Sequence, residues 1–77
     1  MMLLTNDRVR VTENELRALY PAWNIWQSGV GRWWALRIGT ISPVQRAAGI
    51  TASLDADTLE DLAAQLAAQE QLRLEVA

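Results

Sequence analysis

The chain contains no cysteine, no histidine, no lysine and no phenylalanine. Without cysteine there is no disulfide framework. With histidine missing as well, the usual thiolate and imidazole ligands of zinc are gone. The serines, among them Ser28, Ser42 and Ser53, have no imidazole or amine to activate them. These absences argue against a nucleophilic or metal-dependent enzyme, and no catalytic residue, metal or cofactor is assigned. Long apolar runs are absent too. Met1 to Leu4 fall short of a signal-peptide core, no basic segment precedes them, and no stretch approaches the ~20 residues that span a bilayer. The chain therefore reads as cytoplasmic, with no membrane partner.

What is present is small and unevenly distributed. Seventy-seven residues make one domain, of a size that often needs a disulfide, a metal or a second subunit to be stable. Here the packing of four tryptophans, or oligomerisation, must serve. All seven basic residues are arginines, which reads as the coding bias of a GC-rich genome more than as a demand for planar, bidentate recognition. Their placement carries more information. Between Leu16 and Leu54 lie Arg17, Arg32, Arg37 and Arg46 with no acid, whereas residues 55–77 hold six acids against Arg73. A basic middle and an acidic end are hidden within a net charge of −2.

Residues 7–11 alternate polar and apolar, so residues 1–11 read as an extended arm or edge strand. Thr12 and Glu15 have capping-box spacing and open a helix over 12–20 that Pro21 ends. Residues 22–39 predict a β-hairpin, two segments rich in tryptophan and isoleucine flanking Ser28-Gly29-Val30-Gly31. A two-residue turn at Gly29 and Val30 sets Trp26 against Trp33 and Ile25 against Trp34. That register turns Trp23, Ile25, Trp34, Leu36 and Ile38 inward and leaves Asn24, Trp26, Trp33, Ala35 and Arg37 on the other face. A third strand is expected within 44–54, with Ile50, Ala52 and Leu54 inward. A helix is expected over 57–72, capped by Asp57 with Glu60 at the capping-box position and carrying a stripe of Leu59, Leu62, Ala63, Leu66 and Ala67. Leu72, Leu74 and Val76 then alternate with Arg73 and Glu75, which predicts an extended tail over 72–77. The fold class is α+β: a small three-stranded antiparallel sheet packed by helices on one face, in the order α-β-β-β-α.

Asp55, Asp57, Glu60 and Asp61 could suggest a calcium loop, but Glu60 and Leu66 stand where that loop needs glycine and glutamate. The acids suit a helix N-terminus instead. Gly29-Val30-Gly31 lacks the third glycine and the following helix of a dinucleotide-binding loop. What survives is a surface. Trp26 and Trp33 with Asn24, Arg32, Arg37 and Arg46 form a candidate binding set, because tryptophan and arginine anchor many interfaces. The first reading is a non-catalytic protein-interaction module, in the manner of a regulatory accessory, docking on a protein partner or a second copy of itself. The alternative is nucleic acid, with the indoles stacking on bases and the arginines on phosphates. The α-β-β-β-α order resembles double-stranded-RNA-binding domains, and a three-stranded sheet with a helix resembles the arm-binding domains of some integrases. The basic lysine motif of the former is missing here, and acids stand in its place.

The strings Tyr20-Pro21-x-Trp23-x-Ile25-Trp26 and Gly31-Arg32-Trp33-Trp34-Ala35, followed by an acidic leucine-rich helix over 55–72, resemble short actinobacterial proteins with a tryptophan-rich hairpin. No established activity comes with that resemblance. It implies a source and no mechanism.

Overall fold

Thr12 starts the first helix as its spacing predicts. Its hydroxyl accepts from the Glu15 amide while the Glu15 carboxylate accepts from the Thr12 amide, closing a capping box. In the computed structural model, which describes residues 11–76, this helix (α1, Glu13–Leu19) leads into β1 (Trp23–Gln27), β2 (Trp33–Arg37), a one-turn helix α2 (Pro43–Ala47), β3 (Ser53–Ala56) and the long helix α3 (Leu59–Val76). The predicted arm falls almost wholly outside the described residues. The expected α-β-β-β-α order is present, with α2 inserted between the second and third strands. The sheet is antiparallel throughout, in the order β1-β2-β3.

Three boundaries differ from expectation. The stretch beginning at residue 44 is helical at first, because Ser42 forms a second capping box with Gln45 and Pro43 supplies a preset φ at the first helical position. The strand comes later, and Ala52 lies exposed outside it, although Ile50 is buried as expected. The long helix is capped by Thr58, whose hydroxyl accepts from the Asp61 amide, so Asp57 is released for another role. Its C-terminal end does not become an extended tail. The helix continues to Val76, since Leu72 packs over the bare backbone of Gly49 and Arg73 pairs with Glu70 one turn back.

The largest departure is the hairpin register. Ser28 N–H donates to Arg32 O and Gly31 N–H donates to Ser28 O, so the loop holds three residues rather than two. A two-residue hairpin turn needs positive φ at its first central residue or at both. Here Gly29 and Val30 keep negative φ, and Gly31 alone takes the left-handed conformation, at φ 88°. The extra residue shifts the second strand by one, and a one-residue shift turns every side chain over. Trp23 pairs with Arg37, Ile25 with Ala35, and Trp26 with Trp34. Trp34 and Leu36, expected inside, lie outside, while Trp33, Ala35 and Arg37, expected outside, turn toward the helices.

The core follows from that register. Leu16 of α1 and Leu62 and Leu66 of α3 close over Trp23, Ile25, Ala35 and Ala56, with Tyr20, Trp33, Leu54, Leu59 and Ala63 around them. Each fully buried leucine contributes ~1.5–3 kcal/mol. Ala35, wholly buried at the centre of the middle strand, is small enough for α3 to approach the sheet closely.

Candidate functional site

The candidate residues separate into two groups on opposite sides of the sheet. On the helix side, Arg37 lies across the Trp23 ring, its guanidinium carbon 4.2 Å from the ring centroid. Its side chain is 8% exposed, and it donates to Thr51 O and Gln69 Oε1. Glu70, 3.9 Å from Arg37, also accepts from the Trp23 indole N–H and from Arg73. Burial penalises the Glu70 carboxylate, yet the indole hydrogen bond and the cations of Arg73 and Arg37 outweigh it and hold its pKa below the usual carboxylate range. Burial likewise lowers Arg37 from the ordinary guanidinium value. Gln69 completes the group by accepting from Thr51 N–H and donating to Gly49 O. The cluster is a clasp that fastens the distal half of α3 to the end of the sheet. It does not present Arg37 to a ligand.

Trp33 belongs to the same side, half-buried against the core. It is therefore not the neighbour of Trp26. That place is taken by Trp34, whose indole stacks on Trp26 with ring centroids 6.3 Å apart and planes 13° from parallel. Registry arranges the outer face in rows: Trp26, Trp34 and Asp55, then Asn24, Leu36 and Ser53. Trp26 is 41% exposed and Leu36 44%, and Asn24, Ser53 and Ile38 are exposed as well. The two helices that bury the core both lie on the other side.

Arg32 sits at the end of this face nearest the turn. Its Nε donates to Asp55 over 2.7 Å and its other arm pairs with Asp57. The bond with Asp55 raises its pKa. The aspartate expected to cap a helix thus neutralises an arginine expected to bind a ligand. Arg17 pairs with Glu13 and also donates twice to Ile25 O, at 2.9 and 3.3 Å. Arg46 is exposed on α2, and no carboxylate among the described residues pairs with it.

No family model, curated protein or solved structure matches this chain. Its surface must be read from its own chemistry. Among the described residues no group of three or more acids could hold a metal ion, and no helix is long and apolar enough to cross a membrane. Around the stacked indoles the chemistry is apolar and amide-like, with one neutralised ion-pair cluster at the margin. Such a face can exclude water from a matching surface, and the arginine at its margin is already paired with Asp55 and Asp57. Trp34 and Leu36 were missed because their placement depends on one residue in the turn. The signal was Val30, whose branched side chain disfavours the positive φ that the commonest two-residue turn would impose.

Proposed function

We propose that the chain is a non-catalytic interaction module that docks on protein through the outer face of its sheet, with Trp26, Trp34 and Leu36 as anchors and Asn24 at their side. The observation that carries this is the stacked Trp26–Trp34 pair on a face the core-forming helices leave open. Tryptophan contributes disproportionately to interface energy because it buries a large rigid surface at little conformational cost. A stacked pair is already held in place before a partner arrives.

The nucleic-acid alternative draws little from this surface. Arg32 is occupied by Asp55 and Asp57, and Arg37 is sequestered on the other side. Phosphate binding needs several cations free to release counterions. The test is capture by the immobilised chain, with nuclease-treated extract and with the Trp26→Ala/Trp34→Ala double variant as controls. Protein retained despite nuclease and lost with the double variant is the expected result. Nuclease-sensitive retention, or retention unaffected by the double variant, overturns the proposal.

A further inference from the structure

Backbone carbonyls on both edges of the sheet are already engaged. Along β1, Ile25 O accepts from Arg17. Along β3, Asp55 O accepts from the Gln65 side chain at 2.9 Å and Ser53 O from the Thr51 hydroxyl at 3.3 Å. These carbonyls point away from the neighbouring strand, where an added strand would need them. Association by strand addition is therefore disfavoured, whereas the outer face gathers Trp26, Trp34 and Leu36 into one apolar set.

We infer that the occupant of this face is a second copy of the chain, two sheets packing face to face about a twofold axis that runs across the strands. The inference rests on the docking reading above and names the partner. A twofold contact presents one patch to itself, so the patch must be self-complementary. With the axis across the strands, each row meets the other row of the second copy. Trp34 lies over Leu36 of the partner subunit, Trp26 over Asn24 of the partner subunit, and Asp55 over Ser53 of the partner subunit. Apolar meets apolar, an indole N–H meets an amide oxygen, and a carboxylate meets a hydroxyl. Arg32 and Asp57 fall at the rim, bonded to each other. An axis along the strands would instead bring Arg32 against its own copy and set the Asp55 carboxylate on an indole. Only the first arrangement keeps like charges apart.

The dimensions agree with a weak, reversible pair. The flanking pairs Ser28/Arg32 and Ala22/Ile38 add a row at each end of the two already described, and three strands ~4.8 Å apart by four rows ~6.8 Å apart bury roughly 800 Å² in total, the size of a weak, transient contact. Among the described residues eight form the buried core, two of them alanines, a small core that a second copy would extend in a chain with neither disulfide nor histidine or thiolate ligand to hold a metal.

Sedimentation velocity on the full chain, from ~1 µM to ~500 µM, tests the inference at concentrations suited to so small an interface. The expected result is a rise from one chain to two, with no larger species. Leu36→Asp and Asn24→Lys, both at exposed positions, should stay monomeric across the range while keeping the parent's circular dichroism. A parent that stays monomeric at the highest concentration overturns the inference. Acrylamide quenching then separates the two readings. Outer indoles that quench freely, with protein capture still lost in the Trp26→Ala/Trp34→Ala variant, leave a docking face for some other protein. Indoles shielded in the monomer show that the chain covers its own face, and both readings fall. Dimerisation unchanged by Leu36→Asp and Asn24→Lys places the contact elsewhere and overturns the inference as well.

Discussion

The two faces of this sheet carry the same residue in equal number and put it to different uses. Trp23 and Trp33 face the helices, and Trp26 and Trp34 face outward. Trp23 is fixed on every side: buried among leucines, covered by Arg37 and hydrogen-bonded to Glu70. The outer pair is fixed mainly by its own stacking. A tryptophan's role is thus set by what the opposite elements bring to it, and composition alone cannot separate a core indole from a docking one.

Substitution should separate the faces sharply. Trp23→Ala removes a large core side chain and strands Glu70 and Arg37, so we expect a loss of ~3–5 kcal/mol in urea denaturation, enough to unfold much of the population. A loss below 1 kcal/mol would mean that the core does not depend on the inner face. Glu70→Gln tests the clasp. The hydrogen bond from Trp23 can survive while the ion pairs are lost, so we expect ~1–2 kcal/mol at neutral pH. A folded-state pKa depressed below the unfolded one stabilises above the ordinary carboxylate range, and that contribution disappears as pH falls through the folded value. The parent should therefore lose more stability than Glu70→Gln between pH 7 and ~pH 3, and parallel stability curves would remove Glu70 from the clasp. Trp34→Ala is the mildest. A cross-strand pair contributes ~0.2–1 kcal/mol, so thermal melts should shift only slightly. A collapse of the fold on Trp34→Ala would mean that the outer face is itself core.

Much of this architecture was legible. The capping box at Thr12, the stop at Pro21, the hairpin and the Leu62/Leu66 stripe are local signals, and each holds. What was not legible depends on contacts distant in sequence. The alternation of Leu72, Leu74 and Val76 looked like a strand, yet Gly49 and Glu70 supply what keeps those residues helical. Asp57 carried the composition of a cap, but Arg32, 25 residues away, claims it. The faces of β2 were misassigned because pairing inherits its parity from the turn, and Gly31 rather than Gly29 takes the left-handed backbone. Of the candidate binding set, Asn24 and Trp26 kept their face, since β1 precedes the turn. Trp33 and Arg37, which follow it, did not.

The side-chain donors at Arg17, Gln65 and Thr51 reach beyond any single complex. Fibrils grow when extended segments stack without limit, each exposing the same unsatisfied backbone to the next arrival. Here three of those acceptors, Ile25 O, Ser53 O and Asp55 O, are occupied from within one molecule, by donors anchored on a helix at either margin and by a hydroxyl two residues away. An arriving strand therefore finds fewer free acceptors along either margin, which disfavours edge-to-edge growth through these strands.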